Sequence, residues 1–263
     1  MSIQEKLSLR NRRALICGAS AGIGRATALE LAQLGAECIL LARREDRLQA
    51  LQAEIIQVGG QAQILVADLD QRDDVIAKVQ AEVQKAPIHI LINNTGGPKG
   101  GPILQASEDE FLLAFSRHIL VAHRLLQTLL PGMKESGFGR IVNVISTSVY
   151  EPIPNLGVSN TIRGAMASWS KTVSKELPPG ITINNILPGF TDTERLGQLK
   201  QGRASSSGVS EETVHNAWLS MVPEGRLAQP QETAGAIAFL VSPTGAYIRG
   251  VSLAVDGGRL NSI

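Results

Sequence analysis

Immediately after the short apolar run Ala14 to Cys17 the chain reads Gly18-Ala19-Ser20-Ala21-Gly22-Ile23-Gly24, and from Ile23 to Leu34 its apolar residues recur at helical spacing. A strand that passes through glycines straight into a helix lets backbone approach a pyrophosphate, and the amides and dipole at the helix start favour its negative charge. A glycine turn by itself is weak evidence. The same alternation, however, recurs along the chain. Apolar or β-branched runs at Glu37 to Ala42, Gln63 to Ala67, Ile88 to Asn93, Ile141 to Ile145, Thr182 to Leu187 and Ser252 to Val255 read as strands. Between them, Arg47 to Val58, Val75 to Lys85, Glu108 to Lys134, Thr161 to Leu177 and Glu232 to Val241 read as helices. Short, nearly continuously apolar strands separated by helices imply a parallel sheet covered on both faces. The expectation is an α/β fold, a Rossmann-type doubly wound sheet of about seven parallel strands, with residues 1–263 forming one dinucleotide-binding domain.

One stretch breaks the rhythm. Residues 191–223 are polar, include the low-complexity run Ala204 to Gly208, and follow a predicted strand at its C-terminal end, where open α/β sheets bind ligands. They are expected to form a mobile substrate lid. The charge balance, 25 Lys plus Arg against 24 Asp plus Glu, supplies no field for nucleic acid or an anionic membrane surface. The N-terminal residues lack the apolar core of a signal peptide, and no later run could span a bilayer, so a cytoplasmic protein with no membrane partner is expected. Cys17 and Cys38 each lie in a predicted strand without metal-ligand or redox spacing, so the expectation is buried, inert thiols and no metal.

The glycines are separated by three residues and then one, unlike the one-then-two spacing of the dinucleotide fingerprint, and in this the turn resembles the short-chain dehydrogenase/reductase family. Cys17 stands where that family usually has Thr. Further motifs follow in family order: Asp68 with Leu69 after the third strand, Asn93-Asn94-Thr95-Gly96 in place of Asn-Asn-Ala-Gly, Pro188-Gly189 with Thr191 and Thr193, and Val255-Asp256-Gly257-Gly258. The resemblance implies cofactor contacts from Gly18, Ser20, Gly22, Ile23, Gly24, Asp68, Leu69, Asn94, Gly96, Pro188, Gly189, Thr191 and Thr193. The second strand ends in Arg43 and Arg44, where an acidic residue would suit the ribose of NAD and an arginine suits the 2′-phosphate of NADP. Arg43 with Ser20 therefore points to NADP, with NAD the alternative, since position 21 is not basic.

The family reduces carbonyls or oxidises alcohols with Asn, Ser, Tyr and Lys, and here the pattern departs from it. Ser146 matches the family's Ser, but Ser159 falls at the Tyr position, Arg163 at the Lys position and His118 at the Asn position. Arg163 would still reach the ribose hydroxyls. A serine hydroxyl is a far weaker acid than a phenol, so the missing proton donor is sought in His118 or in Tyr150, which follows Ser146 in the same loop. The resemblance, nearest to 3-oxoacyl-[acyl-carrier-protein] reductases, implies an NADP-dependent oxidoreductase acting on a small carbonyl or alcohol compound and assembled as a homotetramer. A catalytically inactive NADP-binding sensor or partner subunit is the alternative. A lyase or hydrolase using Ser146 or Ser159 with His118 is a weaker third, because no nucleophile elbow is present.

Overall fold

The protein is described here from a computed structural model that covers residues 2–262. Seven strands form one parallel sheet in the order β3-β2-β1-β4-β5-β6-β7: β1 (Arg13–Cys17), β2 (Glu37–Ala42), β3 (Gln61–Val66), β4 (Ile90–Asn93), β5 (Gly139–Val144), β6 (Ile181–Pro188) and β7 (Ser252–Val255). The helices are α1 (Ile3–Leu7), α2 (Gly22–Gln33), α3 (Glu45–Gln57), α4 (Arg72–Lys85), α5 (Glu108–Phe115), α6 (Val121–Glu135), α7 (Gly157–Glu176), α8 (Glu194–Ser207), α9 (Glu211–Leu219) and α10 (Pro230–Val241).

Alternation along each strand sends its side chains into two cores. On β1, Ala14 and Ile16 join the layer containing Leu31 of α2, Leu51 of α3 and Ile237 of α10. Leu15 and Cys17 join the opposite layer, with Val79 of α4 and Leu125 of α6. Both thiols are buried, and desolvation pushes each up to about 12. Strand order reverses between β1 and β4, and at such a switch point the C-terminal strand ends splay to leave a crevice.

Two elements differ from the sequence expectation, and a third gains detail. The region 191–223, expected to form a lid, holds α8 and α9, with Ala204, Val214 and Trp218 packed together and Phe190 stacked on Trp218. The expected helix Glu108 to Lys134 is interrupted by a π-turn at Ser116–Leu120, with His118 in its middle. Helix α7 starts at Gly157 rather than Thr161, which places Ser159 in its first turn.

A polar ladder crosses four strands one layer beneath the crevice. Asn93 donates to Asn143 (2.8 Å), Asn143 to Asn185 (2.9 Å) and Asn185 to the Ser252 hydroxyl (3.0 Å), each pair in register. Asn143 is fully buried and serves as both donor and acceptor. Asn143→Ala leaves two buried amides short of a partner, and about 2 to 4 kcal/mol of unfolding free energy should be lost. Urea denaturation checks this, and an unchanged midpoint would rule the ladder out as a structural tie.

Candidate active site

The glycine turn is built by close approach. A Cβ on Gly18 would lie 2.5 Å from the Asn94 carbonyl oxygen, and one on Gly24 would lie 2.3 Å from the Gly18 carbonyl oxygen. Asn94 donates its side-chain amide to the carbonyls of Cys17 (3.3 Å) and Gly18 (3.4 Å), so β4 pins the turn from the other side of the switch point. Gly22 and Ile23 open α2, whose first-turn amides carry no side-chain cap and face the crevice edge where an anion is favoured. Gly96 has open space beside it. At the far end of the sheet, Gly189 donates to Val255 (2.9 Å), Thr191 is buried and Thr193 caps α8.

At the end of β2 the expected pair of arginines divides. Arg43 is exposed and sits 3.6 Å from Asp68, whereas Arg44 donates to the Ser20 hydroxyl at 3.1 Å. It is Arg44, not Arg43, that stands with Ser20. Asp68 also accepts from the Asp70 amide (3.1 Å), the turn-capping contact its residue type favours. Arg47, one helical turn beyond Arg43 and Arg44, joins this corner by pairing with Glu194 of α8, as Arg44 does at 3.3 Å. Arg43 and Arg44 were legible at the end of the second strand, whereas the pairing of Arg44 and Arg47 with Glu194, about 150 residues away, was not.

The chemical end of the crevice lies at the tips of β4 and β5. Ser146 is half-buried and accepts from the Ser148 amide at 3.0 Å, which leaves its hydroxyl proton free to donate. Ser159 is half-buried in the first turn of α7, and Arg163 follows one turn later on the same face. Arg163 is only 7% exposed. It donates to the Val144 carbonyl at 3.0 Å and more loosely to that of Thr95 at 3.5 Å, tying α7 to both strand tips. Burial, with the charge of Arg195, pushes its pKa down to about 10, so it remains cationic at neutral pH.

His118 is buried beneath this cation. Its Nδ1 lies 2.6 Å from the Thr95 hydroxyl, while Nε2 has no protein partner. Desolvation first, then the charges of Arg163 and Arg117, hold its pKa down at about 2. The imidazole is therefore neutral at physiological pH, its pKa well below the ordinary value of ~6.5. His118, Thr95, Arg163 and Leu69 line a cavity of about 10 Å³, roughly the room one water needs. Tyr150 is half exposed and donates its hydroxyl to the Ser252 carbonyl at 3.2 Å, so its proton is directed to the sheet edge. Sequence reasoning noted Thr95 and His118 as separate departures; their contact is what joins them.

A family profile described as enoyl-(acyl carrier protein) reductase matches residues 18–259. The chain belongs to the short-chain dehydrogenase/reductase family. It is 31% identical over 255 residues to the 3-oxoacyl-[acyl-carrier-protein] reductase FabG of Vibrio harveyi, covering 96% of this chain and 98% of the relative. It is 27% identical over 261 residues to the NADPH-dependent reductase BacG of Bacillus subtilis, with 97% and 100% covered. Among solved structures, L-sorbose reductase from Gluconobacter frateurii, complexed with NADPH and L-sorbose, superposes with a TM-score of 0.91 at 27% identity, covering 98% of this chain and all of that one.

Proposed function

We propose that this protein is an NADP-dependent reductase of a small carbonyl compound, or the corresponding alcohol dehydrogenase, with a proton route of its own. The observation that carries the reading is the cradle. The turn at Gly18 and Gly24 has no room for a Cβ, the start of α2 is uncapped, and Arg44, Ser20 and Arg47 meet where a 2′-phosphate would sit. NADP-bound relatives support the choice of dinucleotide. Asp68 and Leu69 would border the adenine, Asn94 and Gly96 the adjoining ribose, and Pro188, Gly189, Thr191 and Thr193 the nicotinamide carboxamide.

Bound NADPH would supply the hydride. The chain's own residues must then orient the carbonyl and deliver a proton to its oxygen. Ser146 donates to that oxygen from the tip of β5. In our reading, the Thr95 hydroxyl gives its proton to the carbonyl oxygen as the hydride arrives, His118 passes Nδ1–H to Thr95, and Nε2 takes a proton from a water in the adjoining cavity, which is itself reprotonated from bulk solvent. Written this way, the imidazole stays neutral overall and shifts between tautomers, as its depressed pKa requires. Arg163 fixes the geometry by holding the carbonyls of Thr95 and Val144.

The second reading is a binding protein without turnover, and two observations favour it: no phenol stands at the start of α7, and Arg163 is already engaged by the main chain. Titration with NADPH and NADH, followed by mixing the NADPH complex with a panel of aldehydes, ketones and sugars, separates the two. The proposal expects NADPH to bind at least ~10-fold tighter than NADH, about 1.4 kcal/mol, and to be consumed by some carbonyl. Tight binding without consumption across the panel would favour the sensor.

Assembly is part of the proposal. Helix α5 leaves Leu112, Leu113 and Phe115 exposed, an apolar face suited to isologous contact in a homotetramer. Sedimentation should give particles larger than the 28.0 kDa chain, and monomers alone at micromolar concentration would contradict this.

A further inference from the structure

The arginine corner already holds an anion. Glu194, the first residue of α8, reaches back to α3, where Arg47 donates to one carboxylate oxygen and Arg44 to the other at 3.3 Å. Arg44 is meanwhile on the Ser20 hydroxyl of the glycine turn. The next residue, Arg195, donates to the Pro98 carbonyl at 2.7 Å, in the loop after β4. Before Glu194, the Thr193 methyl lies 3.0 Å from the position of a Cβ on Gly22. The first turn of α8 thus spans the crevice from the β2 corner to the β4 loop and rests on the glycine turn.

We propose that Glu194 is a specificity-determining residue: its carboxylate holds the position of the cofactor's 2′-phosphate, which must displace it, and the first turn of α8 with it, to bind. The inference rests on the dinucleotide reading above. Two guanidinium groups facing one carboxylate leave a net positive charge that a near-dianionic phosphate matches better, with three acceptor oxygens against two. The pairs are reversible, because the side chains of Glu194, Arg44 and Arg47 are 56%, 43% and 39% exposed, and half-exposed pairs are individually weak. Hydrogen bonds first from Arg47 and then from Arg44 hold the Glu194 carboxyl below the usual range, so it is ionised and competes as an anion at neutral pH. A dinucleotide without the 2′-phosphate has nothing to set against Glu194 and leaves the strap in place. The strap therefore tempers the preference for NADPH over NADH and ties the position of the first turn of α8 to the phosphate.

Calorimetric titration of the full chain with 2′,5′-ADP, 5′-ADP, NADPH and NADH tests this, using wild type, Glu194→Gln, Glu194→Ala and Arg47→Gln. Removing the competitor should tighten 2′,5′-ADP and NADPH by roughly 5- to 10-fold in both Glu194 variants, while 5′-ADP and NADH change by less than about twofold. Arg47→Gln should weaken only the phosphorylated pair, by about tenfold. NADPH binding that persists in wild type with the same ligand ratios in both Glu194 variants would overturn the role of Glu194 and leave the dinucleotide reading standing. Failure of wild type to bind either dinucleotide would overturn both.

Discussion

Arg163→Ala should raise the NADPH dissociation constant by roughly 10- to 100-fold and lower the unfolding free energy by about 2 to 4 kcal/mol. Both effects come from one side chain. The guanidinium joins the carbonyls of Val144 and Thr95, and its removal leaves a buried void and two strand-tip acceptors without their donor. The tips of β4 and β5 then lose the tie that sets their spacing at the nicotinamide end. Arg163→Lys keeps the charge but cannot fork to both carbonyls, so it should recover part of the affinity and little of the stability. Calorimetry and urea denaturation read the two quantities separately. Lost stability with unchanged NADPH affinity would confine Arg163 to a structural role.

His118→Ala should depress turnover by about 10²-fold or more, the usual contribution of a positioned proton-transfer group. Thr95→Val should do nearly the same, because the proposed route needs both members of the pair, and the double variant should fall little further than either single one. With the His118 pKa at about 2, turnover between pH 6 and 8 should show no inflection from this imidazole. The same depression has a stability consequence of definite sign. In the unfolded chain His118 protonates near pH 6.5, while in the fold it stays neutral, so its contribution is fully present above ~6.5 and is lost as pH falls towards 2. Between pH 7 and 5 this amounts to about 2 kcal/mol. His89, also pushed down by burial, acts in the same direction more weakly, so the slope must be compared with that of His118→Asn. A variant that loses stability over this interval as steeply as wild type would show that His118 is not buried neutral.

The seven strands were legible because each is a short apolar run between helices, and β2 and β7 begin and end where their composition changes. Helices α8 and α9 were not, because α8 is too polar to carry an apolar stripe: Glu194 through Ser207 bury only Ala204, and the capping residues Thr193 and Ser210 are ordinary in any polar loop. The π-turn has no local code at all; one extra residue between α5 and α6 leaves the apolar spacing of both intact. Among site residues, Gly18, Gly24 and Asn94 could be read from their order along the chain, but choosing Arg44 over Arg43 required the direction of each side chain after β2. Thr95 and His118 lie on different elements, and the asparagines of the ladder lie on three strands, so their meetings follow from register and packing. A clue to the ladder was nonetheless present: Asn93, Asn143 and Asn185 each fall within or at the end of an otherwise apolar run.

Hydride transfer at the proposed site can be followed with an isotope. The NADPH complex, deuterated at the transferable position of the nicotinamide, is mixed with the carbonyl panel in single turnover, and the products are weighed by mass spectrometry. At least one alcohol product should carry the label on its carbinol carbon with wild type, and the labelled fraction at a fixed short time should fall by about 10²-fold in His118→Ala. Tight NADPH binding with no labelled alcohol from any carbonyl would contradict it.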